Sequence, residues 1–133
     1  MKLLLDTWAL LWALHEPKKL SASARKTLID PANSIHVSAV SFWEISLKSS
    51  IGKLDLQGVG PEDFPGMVQA EGWEILVLDA LTASSFHALP RIDGHKDPFD
   101  RMLIHLAIQE RFHFVSKDAA ADDYAGLGLR VCW

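Results

Sequence analysis

Four acidic residues stand where the chain is predicted to leave a strand or to begin a helix. Asp6 and Asp118 directly follow short apolar runs, and Glu44 and Asp100 lie in the first turns of two predicted helices. Carboxylates without a cysteine or histidine cluster suit a hard cation such as Mg²⁺ or Mn²⁺ rather than zinc. Such a cation activates water and stabilises charge on phosphate oxygens. The residue types therefore predict a metal site for phosphate chemistry.

The elements around these acids must position them, and the sequence alternates strand-like with helical segments. This order predicts an α/β fold with a central, mainly parallel sheet that is flanked by helices on both faces. In such a sheet the turns from strand to helix lie along one edge, so we expect the four acids in one crevice. The predicted strands cover residues 2–5, 35–38, 74–78, 112–116 and 129–133, and the predicted helices cover residues 7–15, 41–51, 80–89 and 98–111, with a weak helix at 66–70 after a loop at 55–65.

Each acid also fits a purely structural role. Asp6 and Asp118 can cap helices, and residues 41–44 have the pattern of a capping box. Asp97 fits the N-cap position of the next helix, and Asp100 fits the favourable end of its dipole. Taken one at a time, the acids favour the structural interpretation. Their convergence favours the metal site.

Glu44 fits a structural role least well. Val40, Leu47 and Ile51 share its helix face at spacings of three and four, so the carboxylate lies on an otherwise apolar stripe. Burying an unpaired carboxylate costs several kcal/mol, and a cation in the crevice would be a suitable partner. The spacing therefore favours a ligand role for Glu44.

Composition excludes several classes of protein. The chain has 133 residues, 49% hydrophobic and 23% charged, which indicates one globular domain over residues 1–133. No uncharged apolar stretch reaches the ~18 residues of a membrane span, and Cys132 alone permits no intrachain disulfide, so we expect a cytoplasmic protein without a membrane partner. The net charge of -4 argues against indiscriminate coating of nucleic acid.

Four segments together resemble, in order and spacing, the motifs of PIN-domain nucleases, and among them the VapC-type toxins. The resemblance implies a PIN-like three-layer sandwich and a Mg²⁺-dependent endoribonuclease that acts as the toxin of a type II toxin–antitoxin pair. It also implies an RNA substrate, a cognate antitoxin and a homodimer. The segments are LLLDT (3–7), SFWEI (41–45), HKDPFDRMLI (95–104) and VSKD (115–118).

The same resemblance implies roles for individual residues. Asp6, Glu44, Asp100 and Asp118 would form the catalytic site and hold Mg²⁺ or Mn²⁺. The family's helix places the metal-facing acid of the third motif at Asp100, which leaves Asp97 as a helix cap with an outer-shell role.

Several neighbouring residues are candidates for supporting roles. The hydroxyls of Thr7 and Ser41 can hydrogen-bond the metal ligands, although capping explains both more economically. His95, Lys96 and Arg101 surround the third motif and can contact substrate phosphate, and the alternative is an exposed loop with a structural ion pair from Arg101.

Other functions compete with the toxin hypothesis. A phosphoacceptor signalling domain shares the α/β pattern, the acidic pocket, Mg²⁺ and a late lysine, here Lys117, but needs an acid pair after the first strand. A phosphatase with an aspartyl nucleophile would need Asp-x-Asp, whereas Asp6 is followed by Thr7 and Trp8. A PIN nuclease of RNA processing stays open, and a silent relative is disfavoured because all four acids are present.

Overall fold

Five parallel strands form the central sheet of the computed structural model, which describes residues 1–133. The strand order is β3-β2-β1-β4-β5, so the chain starts in the middle of the sheet and builds outward on both sides. The predicted mainly parallel sheet is confirmed, and every strand pair in it is parallel. The strands are β1 (Lys2–Leu5), β2 (Ser34–Ser38), β3 (Glu74–Leu76), β4 (His113–Val115) and β5 (Arg130–Cys132).

Helices connect the strands and cover both faces of the sheet. Four short 3-10 segments supplement them, at Pro17–Lys19, Pro61–Asp63, Phe86–Ala88 and Ala119–Leu127. None of the helices has the length and apolar character needed to span a membrane. The helices are α1 (Thr7–His15), α2 (Ala22–Ile29), α3 (Ala39–Ser50), α4 (Phe64–Ala70), α5 (Ala80–Ser85) and α6 (Pro98–Glu110).

The central strand β1 shows why the fold has three layers. Its side chains alternate between the two faces of the sheet, as the pleat requires. Leu4 belongs to the core beneath α6, whereas Leu3 and Leu5 belong to a second core beneath α1 and α4. All three leucines are fully buried, and each contributes about 2 kcal/mol of apolar burial. The predicted three-layer α/β sandwich is thus confirmed.

Several helices differ from the sequence-based prediction. Helix α4 begins at Phe64, inside the predicted loop, and α5 ends at Ser85 and is followed by a 3-10 segment, although one helix was predicted over 80–89. The other differences concern α3 and α2.

Helix α3 begins at Ala39, because Ser38 has extended backbone and its hydroxyl accepts the Val40 N–H. The capping box predicted at residues 41–44 is therefore wrong, and Glu44 lies in the second turn. Helix α2 was not predicted, although Ser21 caps it.

The apolar stripe predicted on α3 is also only partly buried. Val40 and Glu44 are buried, but Leu47 is 40% exposed and Ile51 is 56% exposed. The helix ends before Gly52, which follows the C-cap residue directly and has a φ of +74° that favours glycine.

Candidate metal centre

The carboxyl ends of β1 and β4 meet the beginning of helices at one edge of the sheet, and Asp6 lies at this point. It follows β1 directly and caps α1, with Oδ1 accepting the Ala9 N–H at 2.7 Å. The carboxylate is 7% exposed. From β1 the chain continues to β2 on one side of the sheet, and from β4 it continues to β5 on the other side. Ligands bind at such a reversal of the strand order in open α/β folds.

Glu44 is buried in the second turn of α3 and is only 2% exposed. Its Oε2 is paired with the ammonium group of Lys48, one helical turn later. Its Oε1 is buried and has no hydrogen-bond partner. An unsatisfied buried carboxylate oxygen is expensive, and a cation in the crevice would satisfy it.

Asp97 and Asp100 have different tasks at the start of α6. Asp97 is the N-cap, since its Oδ1 accepts the N–H groups of Phe99 at 2.8 Å and Asp100 at 3.2 Å. This is the capping role that the sequence predicted for Asp97. The Asp100 side chain is 31% exposed and lies in the first turn. Because Asp97 caps the helix, the Asp100 carboxylate has no capping contacts and is available to a ligand.

Asp100 belongs to two overlapping groups of potential metal ligands. Together with Glu44 and Asp97 it forms one group, and together with His95 and Asp118 it forms the other. Within each group the ligand atoms lie within 4.8 Å of one another. Asp118 is exposed, and its Oδ1 also accepts the Ala120 N–H at 2.9 Å. The acids of three separate sequence motifs thus meet at one place.

Burial and mutual repulsion raise the pKa of two of these acids. Burial raises the pKa of Asp6 to about 6, against hydrogen bonds from Ser116 and Ala9 that lower it, and the charges of Glu44 and Asp118 raise it further. The carboxylate of Asp6 is therefore within electrostatic reach of the other predicted ligands.

Asp100 is perturbed more strongly. Burial raises its pKa to about 7, and the charges of Asp97, Glu44, Asp6 and Asp118 add to this effect in that order. All four of the other acids that the sequence singled out thus raise the pKa of Asp100. A divalent cation would relieve this repulsion, as perturbed carboxylates in a crevice often indicate.

Lys48 supplies positive charge to the cluster. Its ammonium group pairs with Glu44 and lies 3.9 Å from Asp97 Oδ2. Partial burial acts to lower the pKa of Lys48, but the hydrogen bond and charge of Glu44, with smaller effects of Asp97 and Asp100, raise it above its ordinary value. Lys48 therefore stays charged and holds the acids together.

Thr7 and Ser41 are both buried and contact each other across α1 and α3. The Thr7 hydroxyl donates to Ser41 Oγ at 3.1 Å. Ser41 does not cap α3, since Ser38 does. This pair joins the two helices that carry Asp6 and Glu44, and an outer-shell role for its hydroxyls stays a prediction.

The three candidates for phosphate binding are placed differently. Lys96 is exposed. Arg101 does not form the ion pair considered from the sequence, because its Nη2 donates to the carbonyl oxygens of Leu89 at 3.1 Å and of Pro90 at 3.4 Å. His95 is buried, with Nε2 3.8 Å from Asp100 Oδ2. A phosphate contact by any of the three stays a prediction.

The donor set fits a hard divalent cation. It consists of carboxylate oxygens and one histidine nitrogen, includes the unsatisfied buried oxygen Glu44 Oε1, and contains no cysteine. Oxygen ligands of this kind are those of Mg²⁺ and Mn²⁺. The arrangement can hold such a cation beside a phosphodiester and activate water there.

Comparison with known proteins agrees with this fold. The sequence matches the family described as PIN domain over residues 3–127, and no match was found among curated protein sequences. The structure is similar to VapBC2 from Rickettsia felis bound to a promoter DNA fragment, with a TM-score of 0.63 and 16% identity over 98% of this chain and 97% of that chain. DNA-bound VapBC from Salmonella typhimurium gives 0.64 and 18% over 98% and 96%. A toxin–antitoxin complex from Klebsiella pneumoniae gives 0.55 and 20% over 94% and 92%.

Proposed function

Because the chain belongs to the PIN domain family, we propose that it is an endoribonuclease whose acidic cluster holds Mg²⁺ or Mn²⁺ during RNA hydrolysis. The observation that carries this proposal is the meeting of the acids from separate motifs at one edge of the sheet, with Asp100 shared between both groups of ligand atoms. This observation also disfavours the phosphoacceptor alternative, since the acids of the two groups come from α3, the start of α6 and the segment after β4 rather than from one pair after β1.

We propose that the cation would be held by Asp6, Glu44 and Asp100, with Asp118 at the exposed side. Asp6 belongs to neither group of ligand atoms within 4.8 Å, and what places it near them is the effect of its charge on Asp100. When bound, the cation lowers the pKa of a water molecule and neutralises charge on the phosphate. Asp97 uses one oxygen to cap α6, and its contribution is to hold the start of that helix in place. No covalent nucleophile is needed for hydrolysis of this kind.

The chain's own groups prepare this site in three ways. The Ala9 N–H fixes Asp6 Oδ1, so the orientation of this carboxylate is set by the start of α1. Lys48 forms an ion pair with the buried Glu44 before any cation arrives. The raised pKa of Asp100 means that it binds a proton readily near neutral pH, so cation binding releases a proton from it.

The ribonuclease proposal is tested by cleavage of labelled single-stranded RNA by the purified protein. We expect cleavage with Mg²⁺ or Mn²⁺, none after chelation, and a loss of about 100-fold or more in Asp100→Asn and Glu44→Gln. Glu71→Gln is the matched control, because Glu71 is exposed and forms no ion pair. Cleavage that needs no metal and persists in Asp6→Asn and Asp100→Asn would refute the mechanism.

We also propose that the enzyme is the toxin of a type II toxin–antitoxin pair that acts on RNA in the cytoplasm. The support is the resemblance to VapC-type toxins together with the similar fold of the Klebsiella pneumoniae toxin–antitoxin complex. A groove of about 490 Å³ between α1 and the segment after α3, beside the 47% exposed Trp8, offers apolar surface for a protein partner.

The toxin proposal is tested in growing cells. Expression of the chain should arrest growth, Asp100→Asn should not, and coexpression of the protein from the adjacent reading frame should restore growth. Unchanged growth in the presence of demonstrably active enzyme would favour a role in RNA processing.

A homodimer is proposed from the apolar surface that α3 leaves exposed. Trp43, Leu47 and Ile51 are spaced by four residues and are 40–62% exposed, which is unusual for three large apolar side chains on one helix face. Light scattering on the purified protein should give twice the mass of the chain. Leu47→Glu should convert the protein to monomers, and a monomeric wild type would contradict this proposal.

A further inference from the structure

His95 and Tyr124 form a buried pair beside the acidic cluster. The Nδ1 atom of His95 lies 2.7 Å from the hydroxyl oxygen of Tyr124, which is fully buried. The opposite ring nitrogen, Nε2, is buried without a hydrogen-bond partner and lies 3.8 Å from Asp100 Oδ2. One end of the imidazole is therefore fixed, and the other is directed at a predicted metal ligand.

The hydrogen bond from Tyr124 determines where the imidazole proton lies. A tyrosine hydroxyl has a single proton, and Nδ1 of His95 is the one hydrogen-bond partner of this hydroxyl. If Nδ1 were the donor, the proton of Tyr124 would be buried without an acceptor, which costs about 1–3 kcal/mol. Tyr124 therefore donates to Nδ1, and the proton of the neutral ring is on Nε2.

We propose that His95 is a positioning residue that donates its Nε2–H to Asp100, and that it is not a metal ligand. The inference rests on the metal-binding role proposed for Asp100. A protonated Nε2 has no lone pair for a cation, although its position among potential ligand atoms would otherwise allow coordination. Donation to Oδ2 orients the carboxylate and leaves its other oxygen for the cation, as partners of ligating carboxylates commonly do.

The separation of 3.8 Å is longer than a hydrogen bond of about 3 Å. Asp100 is the partner that can close it, because its side chain is 31% exposed whereas that of His95 is 8% exposed and held by Tyr124. The proposal requires a rotation of the Asp100 carboxylate that would shorten the distance between Oδ2 and Nε2 while the ring stays in place. The buried N–H then gains the acceptor that it lacks.

The first test is the tautomer of His95, measured from the ¹⁵N shifts of its ring nitrogens at mildly alkaline pH, where histidine rings are neutral. We expect the proton on Nε2 both without metal and with saturating Mg²⁺. In Tyr124→Phe, which removes only the hydroxyl, the His95 signals should shift toward a mixture of tautomers. Transfer of the proton to Nδ1 on Mg²⁺ binding would overturn the proposal, because it would free Nε2 for the metal.

The second test is Mn²⁺ affinity without RNA, measured by calorimetry. We expect His95→Leu to weaken binding about tenfold, the lower end of the range for an outer-shell partner. His95→Gln, whose amide can donate from a similar place, should recover most of this loss, and Tyr124→Phe should show a smaller one. His87→Gln, at an exposed histidine, should bind as the wild type does.

The outcomes separate the possible roles of His95. Equal losses of about 100-fold in His95→Leu and His95→Gln would indicate direct ligation and refute the proposal. Unchanged Mn²⁺ affinity in both variants, with weaker binding of single-stranded RNA, would refute it in favour of a phosphate contact. Neither the tautomer nor the Mn²⁺ affinity depends on RNA cleavage. A failure of this proposal can therefore be distinguished from an absence of ribonuclease activity.

Discussion

Replacing Asp100 with asparagine should stabilise the metal-free protein at the same time as it removes a metal ligand. In the folded chain, burial and the charges of Asp97, Glu44, Asp6 and Asp118 raise the pKa of Asp100 from 3.8 to about 7. Ionised Asp100 is thus less favourable in the folded state than in the unfolded state. Asparagine keeps the shape of the side chain and removes the charge.

The size of the effect follows from this difference in pKa. Between 3.8 and about 7 it corresponds to an upper limit of about 4 kcal/mol. Because the side chain is 31% exposed, solvent screens part of the repulsion, and we expect about 2 kcal/mol. The folded-state pKa is raised, so the wild type loses this stability as the pH rises from about 4 to about 7. The gain from Asp100→Asn should therefore be small near pH 4 and complete above pH 7.

The assay is urea unfolding at several pH values, followed by the fluorescence of the five tryptophans. Without metal at about pH 8, Asp100→Asn should be more stable than the wild type by about 2 kcal/mol. With Mn²⁺ at about 100 times its Kd, the wild type should gain about 2.7 kcal/mol and the variant little. Glu71→Gln removes the same charge from an exposed site and should change neither value. A metal-free Asp100→Asn protein that is less stable than the wild type would refute the reasoning.

Two further predictions concern the charges of the cluster. The affinity for Mn²⁺ should rise between about pH 5 and pH 7. The reason is that Asp6, with a pKa of about 6, and Asp100, with a pKa of about 7, must release protons to bind the cation. An affinity that calorimetry finds independent of pH would contradict this prediction. Lys48→Met should destabilise the metal-free protein by about 2 kcal/mol, because it leaves the buried Glu44 unpaired, and Mn²⁺ should restore part of the loss. Lys19→Met, in an exposed ion pair, should cost about 0.5 kcal/mol or less, and equal urea midpoints for both lysine variants would contradict the role of Lys48.

The parts of the fold that sequence predicted are those with a local signal. The run at residues 3–5 is apolar without alternation, which is the pattern of a central parallel strand buried on both faces, and the structure places β1 there. Asp6 follows this run, so its place at the carboxyl end of a strand needed no long-range information. The same holds for Asp97, where Pro98 marks the first helical position.

The start of α3 shows where local signals compete. Ser38 and Ser41 are both suitable caps, and the sequence favoured Ser41 because Glu44 completes a capping box. The choice depends on which residue has extended backbone, and β2 continues through Ser38 with a ψ of 145°. The strand ends at Ser38 and this residue caps the helix, so α3 begins two residues earlier than predicted and Glu44 lies in its second turn.

Individual hydrogen bonds between residues distant in sequence could not be predicted. His95 and Tyr124 are 29 residues apart, and their hydrogen bond depends on the path of the loop before α6 and of the segment after β4. Arg101 likewise contacts the carbonyl of Leu89 rather than an acid, because the chain before α6 folds back over it. Residue types predicted the chemistry of the site, whereas its internal hydrogen bonds needed three-dimensional structure.

The central claim is that Asp6, Glu44 and Asp100 bind one hard divalent cation, and anomalous diffraction from crystals soaked in Mn²⁺ tests it most directly. We predict a peak within about 2.5 Å of carboxylate oxygens of these residues, including Glu44 Oε1, which has no partner in the protein. In Asp100→Asn crystals the peak should be lost or much weaker. Fully soaked wild-type crystals without a peak at this cluster would contradict the claim.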